Sequence, residues 1–363
     1  MKKSVLLILA FSFFFVLAGA DYKVMLLGDL HFDSEQYHIA PNGEKSGNAN
    51  TIRHSNMWKK QSPEMLANSA KILDKSFPFV IQLGDIVEGY AATTEQLCQM
   101  LTDSFYAVKK FYPEHKFLSV KGNHDVRRVI TKKVNGSLQN ISLWEHDAYN
   151  KSFLPLIAKE LDRKSLESHF SVSFNNDLYI FYDDFADEQT SVNFLKKTLS
   201  DNPSVRHVFF ITHIPLLPCS TKKPWNLAPR ASEIIKLLAD RNAIILAGHT
   251  HAASFIKVKV NGKPLTQLVI SSLGYLWNKK NAMDIFAEDL KQYLFKLDNI
   301  QKQNPKLADV KNYLNTMTVE ELIIYNVRSI QGFAMMKVND DNSVFAEIYN
   351  DDSSKPVLVK KLH

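Results

Sequence analysis

Five apolar runs in this chain each end in an aspartate, an asparagine or a histidine, and this recurrence constrains the fold most strongly. The runs and the residues after them are 24–27 with Gly28-Asp29-Leu30-His31, 79–83 with Gly84-Asp85, 117–120 with Gly122-Asn123-His124-Asp125, 207–212 with His213, and 243–247 with Gly248-His249-Thr250-His251. Short apolar runs bounded by turn residues are typical of buried strands. Ligands of open α/β sheets bind at the carboxyl ends of the strands. The pattern therefore predicts an α/β fold with a metal site assembled from strand ends.

The side chains at these strand ends supply nitrogen and oxygen donors. Asp29 and His31 are two residues apart, so they point the same way from an extended segment, and His249 and His251 repeat that spacing. Asp85 is alone in its motif, which suits a carboxylate that bridges two ions. A nitrogen and oxygen donor set without thiolate favours Fe, Mn or Zn over Ca or Mg. Two such ions ~3.5–4 Å apart would clamp the attacking and leaving oxygens of a displacement at phosphorus.

The five blocks resemble the calcineurin-like metallophosphoesterase superfamily, whose signature is Asp-x-His, Gly-Asp, Gly-Asn-His-Asp/Glu, a lone His and Gly-His-x-His in this order. The resemblance covers about 22–275 and implies a four-layer α/β/β/α sandwich that holds two divalent or trivalent ions. The implied ligands are Asp29, His31, Asp85 and His251 for one ion and Asp85, Asn123, His213 and His249 for the other.

The same resemblance implies roles around the phosphate of the substrate. A hydroxide that bridges the metals would attack phosphorus, and Asn123 with the ions would neutralise the oxyanion. His124 would stand outside both metal shells and protonate the leaving oxygen, with Asp125 orienting it. The basic pair Arg127-Arg128 follows this motif and is either solvated surface or a contact for an anionic substrate. Asn123, His124 and Arg127 are therefore the candidate substrate-binding residues.

Departures from the family pattern bear on the subfamily. Purple acid phosphatases place a tyrosine three residues after the second-motif aspartate, and this chain has Glu88 there, so a tyrosine-to-iron charge-transfer site is not expected. The Gly-Asn-His-Asp ending is closer to cyclic-nucleotide phosphodiesterase and sphingomyelinase-like members than to protein Ser/Thr phosphatases. The latter usually carry several disulfides, which the two cysteines, Cys98 and Cys219, cannot provide. The choice between monoester and diester stays open.

The first twenty residues have the features of a secretory signal peptide. Lysines at positions 2 and 3 precede an apolar run at 5–17, which is short for a bilayer span, and small residues follow at 18–20. We expect cleavage between Ala20 and Asp21, a secreted or periplasmic protein, and no transmembrane span in the mature chain. Glycosylation sequons begin at 135, 140 and 150, and they matter only in a eukaryotic source.

Composition excludes few partners. Removing the leader lysines lowers the formal net charge from +6 to +4, and no basic stripe interleaved with aromatics indicates a nucleic-acid groove. The expected partner is a small phosphoester substrate, and the oligomeric state is not predicted. We expect two separate thiols rather than a disulfide framework.

The remaining pattern predicts one large domain. Segments at 34–60, 126–144 and 214–230 are predicted to be loops that set specificity. The predicted organisation is a signal peptide at 1–20 and a metallophosphoesterase domain at 21–363, with its core at 22–275, a helical insertion at 280–315 and C-terminal strands at 321–350. The functional hypothesis is an exported dinuclear metallohydrolase of phosphate mono- or diesters. The alternative is a non-catalytic exported module of the same fold that keeps the metals for stability.

Overall fold

The structure is a computed structural model and describes residues 21–46, 49–217, 231–273, 285–286, 317–325, 332–350 and 355–363. The predicted leader, nearly all of the predicted insertion at 280–315, and Cys219 lie outside the described residues. No helix within these ranges is long and apolar enough to cross a membrane.

Strands and helices alternate through the first two thirds of the described chain, and strands dominate the last third. The strands are β1 (Tyr22–Leu27), β2 (Phe79–Gln82), β3 (Lys116–Ser119), β4 (Arg127–Val134), β5 (Ser137–Trp144), β6 (Phe170–Phe174), β7 (Asp177–Phe181), β8 (Val208–Ile211), β9 (Ile244–Ala247), β10 (Ser254–Val260), β11 (Lys263–Val269), β12 (Ile285–Phe286), β13 (Met317–Tyr325), β14 (Phe333–Val338), β15 (Val344–Tyr349) and β16 (Leu358–Lys361). The α-helices are α1 (Ala49–Lys60), α2 (Ser62–Ala70), α3 (Thr94–Lys109), α4 (His146–Ser152), α5 (Leu154–Glu160), α6 (Glu188–Asp201) and α7 (Ala231–Ala239).

Two large sheets carry the five motif strands. The first has the order β16-β15-β14-β1-β2-β3, and its motif strands β1, β2 and β3 are parallel neighbours. The second has the order β12-β13-β10-β11-β9-β8-β7-β6, and its motif strands β8 and β9 are also parallel neighbours. In each sheet the motif residues therefore lie together at the carboxyl ends of the strands, because parallel neighbours end on the same side.

Alternation of side chains along the strands divides the core. In β8, Phe209 and Ile211 belong to a cluster that also contains residues of β1 and β2, whereas Val208 and Phe210 belong to a second cluster with residues of α6 and α7. The strand is thus buried on both faces, which explains why its sequence is a continuous apolar run. The predicted α/β class is confirmed, and the four-layer order stays a prediction.

The two predicted hairpins before residue 275 are present. β6 and β7 pair across Asn175-Asn176, and β10 and β11 pair across Asn261-Gly262. The central residues of both turns have positive φ, between 48° and 79°, as the two-residue hairpin turns require.

Two of the three segments predicted to be loops contain regular structure instead. A short 3-10 helix (Glu35–Tyr37) and α1 lie within 34–60. α1 begins with Ala49-Asn50-Thr51, and asparagine and threonine are poor helix formers. The helix was therefore not predicted from the sequence. The segment 126–144 is the hairpin of β4 and β5, closed by Asn135-Gly136 with φ of 50° and 83°. Asn-Gly is a strong hairpin signal, and a prediction that gave it more weight would have found these strands.

Smaller differences concern element ends. The single helix predicted near 145–161 is two helices, α4 and α5, because Pro155 starts a new first turn after Phe153. β16 pairs with β15 at the edge of the first sheet and was not predicted from the sequence. Of the third predicted loop, 218–230 lies outside the described residues.

Candidate metal centre

The first group of donors comes from both sheets. Asp29, His31, Asp85 and His251 each offer a ligand atom, and these atoms all lie within 4.8 Å of one another. The Nε2 atoms of His31 and His251 are 2.9 Å apart, close enough to share one proton or one cation. The structure thus brings together the whole set predicted for one ion.

The second group shares Asp85 with the first. Asp85, His213 and His249 form it, with ligand atoms within the same 4.8 Å limit. Nε2 of His213 lies 3.1 Å from Nδ1 of His249, 3.2 Å from Oδ1 of Asn123 and 3.3 Å from Oδ2 of Asp85. This is the set predicted for the other ion, and Asp85 belongs to both groups.

The backbone at these donors adopts an uncommon conformation. His31, Asp85, His249 and His251 all have positive φ, at 50°, 54°, 71° and 55°. Left-handed conformations of non-glycine residues cost of order 1–3 kcal/mol each and persist where the surrounding structure imposes them. Their concentration at one spot supports a functional centre rather than ordinary turns.

Glycines allow the strand ends to approach so closely. A Cβ on Gly122 would overlap the backbone nitrogen and the Oδ1 atom of Asp85. A Cβ on Gly84 would lie 2.5 Å from Nδ1 of His213, and Gly84 also has a φ of 88°. The glycines in these two motifs therefore serve the packing of one motif against another.

Charge within the centre is balanced by shared protons. Burial lowers the pKa of His31, but the Glu88 carboxylate outweighs it and brings the value to about 9. Burial likewise opposes protonation of His213, yet Asp85 raises its pKa to about 10. The pKa of His251 falls well below its usual value, because the ring is buried and faces His31. The buried carboxylates of the centre thus favour positive charge on the imidazoles beside them.

The donor set fits two transition-metal ions. His213 donates Nδ1–H to the Leu83 carbonyl at 2.8 Å, which aims Nε2 at Asn123 and Asp85. His31 is held in the same way, because its Nδ1 lies 3.0 Å from the Glu88 carboxylate while its Nε2 faces His251. Cations replace shared protons between such groups, since ligands must be deprotonated to bind a metal. His31, Glu88 and His124 form a third donor group, which shares His31 with the first.

His124 lies beside the metal groups as a neutral imidazole. Its Nδ1–H donates to the Glu88 carbonyl at 2.8 Å, and its Nε2 accepts from the guanidinium of Arg127 at 2.9 Å. Burial, with Arg127 adding to it, lowers the pKa of His124 to about 4, although Asp85 opposes this. The backbone N–H of His124 donates to Oδ1 of Asp85 at 2.7 Å. The structure therefore groups His124 and Arg127, both predicted from the sequence, at the edge of the centre.

Asp125 is placed differently from the role implied for it. Its carboxylate accepts from the backbone N–H groups of Asp85 at 2.9 Å, Gly122 at 2.8 Å and Val87 at 3.0 Å. Among the described residues, no hydrogen bond joins this carboxylate to the His124 ring. Asp125 therefore fixes the loop that carries Asp85, and any effect on His124 passes through that loop.

Three acidic residues at the centre were not singled out for a role by the sequence analysis. Glu88 contacts His31, and Asp184 accepts from the backbone N–H of His213 and Ile214 at 2.9 Å each. Asp183 forms a buried ion pair of 2.7 Å with Lys121, which immediately precedes the Gly-Asn-His-Asp motif. The signal for Asp183 and Asp184 was their position at the end of the apolar strand β7, the same position as the motif residues.

Glu88 provides a test of how the ligands are oriented. Glu88→Gln should weaken metal binding by about 10–100-fold, because the amide cannot hold His31 as an anionic acceptor does. Metal affinity would be measured by competition with a chelator. Glu114→Gln, in an exposed turn at the other end of the first sheet, is the matched control. Unchanged affinity in Glu88→Gln would show that Glu88 does not position this ligand.

The chain belongs to the calcineurin-like phosphoesterase family, a class of phosphoester hydrolases. The family model matches residues 22–253, which include all five motifs. This membership confirms the family and the enzyme class predicted from the motifs. The family and the buried donor groups also support a dinuclear centre, whose metals are not identified. No curated protein sequence matches the chain.

Solved structures share the fold. A purple acid phosphatase from yellow lupin (Lupinus luteus) seeds is 11% identical, with a TM-score of 0.55 over 94% of this chain. The match covers 54% of the lupin chain, so this protein spans about half of that enzyme's length. A dimetal phosphatase from Danio rerio is 10% identical, with a TM-score of 0.50 over 94% of this chain and 99% of that one.

Proposed function

We propose that this protein is an exported metal-dependent phosphoesterase that hydrolyses a phosphate mono- or diester at the centre described above. The observation that carries the proposal is the pairing of two complete donor groups through Asp85 with a histidine, His124, that belongs to neither predicted ligand set. A module that kept metals only for stability would need the ligands but not His124 or the Arg127 guanidinium against it.

The residues divide the work of hydrolysis. Asp29, His31, Asp85 and His251 would hold one ion, and Asp85, Asn123, His213 and His249 the other. Such ions supply Lewis acidity toward the phosphoryl oxygens and a water nucleophile of lowered pKa. The side-chain amide of Asn123 would donate to a phosphoryl oxygen.

Arg127 and His124 act on the substrate side. A phosphate group is a stronger acceptor for the Arg127 guanidinium than a neutral imidazole, because the hydrogen bonds are charge-assisted. Its move to the phosphate releases Nε2 of His124, which then faces the ester oxygen. The Asp85 and Glu88 carboxylates lie 3.9 Å and 3.7 Å from the two ring nitrogens and stabilise the protonated imidazole. Nε2, once released, takes up a proton from solvent, and His124 then donates that proton to the leaving oxygen.

Metal removal tests the proposal against the non-catalytic alternative. The purified protein should hydrolyse at least one member of a panel of nucleotides, cyclic nucleotides, phospholipid headgroups and aryl phosphates. A chelator should abolish turnover, and added Mn, Fe or Zn should restore it. A protein that binds the metals and turns over none of these esters with any of the three would favour the non-catalytic module.

Export is the second part of the proposal and rests on the leader sequence alone. The mature N-terminus should be at or near Asp21, and N-terminal sequencing of the secreted or periplasmic protein checks this. A secreted chain that begins at Met1 would contradict it.

A further inference from the structure

Three aromatic side chains, Trp144, His146 and Phe185, form a cluster that we call the aromatic rim. The rings of Trp144 and His146 are nearly parallel, with 5.9 Å between centroids and 8° between planes. Phe185 lies 6.5 Å from Trp144 and 6.2 Å from His146. Trp144 is 56% exposed, which is unusual for so large an apolar side chain.

Two members of the aromatic rim, Trp144 and Phe185, connect it with residues of the candidate metal centre. Trp144 is directly opposite Arg127 in the pairing of β4 and β5, so both side chains lie on one face of the hairpin. Arg127 reaches His124 from that face. Phe185 follows Asp184, whose carboxylate holds the backbone N–H of His213. The rim therefore stands next to the position at which a substrate phosphate would meet Arg127.

Stability does not account for this placement of Trp144. More than half of the side chain remains in water, so its removal exposes little buried apolar surface. Leu138, near the turn of the same hairpin, is 76% exposed and is paired with Lys133, at the far end of the hairpin from Arg127. The two residues thus separate general exposure on the hairpin from proximity to the site.

Charge on the hairpin side of the aromatic rim favours a neutral ring. Arg128 is paired with Glu145 at 2.9 Å, whereas Arg127 forms no ion pair among the described residues. The positive charge of the Arg127 guanidinium disfavours a quaternary ammonium group, which aromatic clusters otherwise bind well. It attracts the phosphate instead, while the exposed face of Trp144 offers a stacking surface for any planar ring attached to that phosphate.

We infer that the aromatic rim binds a planar ring in the organic part of the substrate, and that the substrate class is nucleoside phosphoesters. The inference rests on the proposed function for its phosphate site. Trp144 lies opposite Arg127 in the hairpin, and the Arg127 side chain extends from there to the His124 ring. A ring stacked on Trp144 and a phosphate held at the Arg127 guanidinium therefore call for a linker between them. A sugar between phosphate and base provides that spacing.

The test compares two ligands that differ only in the ring. Binding of a nucleoside monophosphate and of ribose phosphate to the metal-loaded protein is measured by calorimetry, for the parent chain, Trp144→Ala, Trp144→Phe and Leu138→Ala. The parent should prefer the nucleoside phosphate roughly 5- to 150-fold, the range for one ring-stacking contact. Trp144→Ala should lose this preference, Trp144→Phe should keep most of it, and Leu138→Ala should match the parent.

Equal affinity of the parent for the two ligands would overturn the inference. A preference that survives in Trp144→Ala would also overturn it. Hydrolysis of the same ligand pair, measured as monoesters and as methyl diesters, is a separate readout. Preferential binding without hydrolysis of either would contradict the proposed function and leave the assignment of the aromatic rim supported.

Discussion

His124→Ala should lower kcat/KM for an alkyl phosphoester by about 10²–10⁴-fold, the usual contribution of general acid–base catalysis. An alkoxide leaves poorly without a proton, and Nε2 of His124 is the group proposed to supply it. Metal content should not change, because His124 contacts the ligand Asp85 through its backbone N–H, which alanine retains. Turnover and metal content would be measured on the same preparation.

The leaving group separates a proton donor from a phosphate-binding residue. A nitrophenyl ester departs readily as an anion, so His124→Ala should affect it much less than the alkyl ester. His115→Ala is the matched control, since this histidine precedes β3 at the opposite end of the first sheet and should show neither loss. The comparison requires that chemistry is the slow step for both esters. Equal losses on the two esters would assign His124 to phosphate binding.

Asp85→Asn should reduce bound metal toward one ion or none and lower turnover by about 10³-fold or more, equivalent to several kcal/mol. Asp85 belongs to both donor groups, so its neutralisation weakens both. The backbone should tolerate the change, because asparagine adopts the left-handed conformation as readily as aspartate and Asp85 has a φ of 54°. All substrates should suffer alike, since the ions act on phosphorus whatever group leaves.

Metal analysis and circular dichroism of the Asp85 variant provide the measurement. Asp74→Asn is the control, because Asp74 precedes β2 at the end away from the centre. A folded Asp85→Asn protein that still holds two tightly bound ions would remove Asp85 from the bridge.

The strands that build the centre were predictable from the sequence because each is buried on both faces. A strand such as β8 is a continuous apolar run, and the polar residue that ends it stands out. The order of the motifs then placed Asp29, His31, Asp85 and His213 in one centre, where the structure finds them. Local sequence carried this information because each ligand lies at the end of its own strand.

Features that depend on contacts between distant segments were not predictable. Glu88 is an ordinary acidic residue in the sequence, and only its contact with His31 reveals a role. The hairpin of β4 and β5 is half exposed and polar, so it lacks an apolar run, and it brings Trp144 opposite Arg127 through pairing alone. The aromatic rim joins this hairpin to Phe185, which is 41 residues after Trp144 in the chain.

Anomalous diffraction from crystals of the Mn-loaded protein tests the dinuclear centre most directly. Two peaks are expected ~3.5–4 Å apart, the separation typical of two-metal phosphoesterase sites. One should lie against His31 and His251, the other against His213 and His249, with Asp85 between them. A single peak, or two peaks on other residues, would contradict a centre bridged by Asp85.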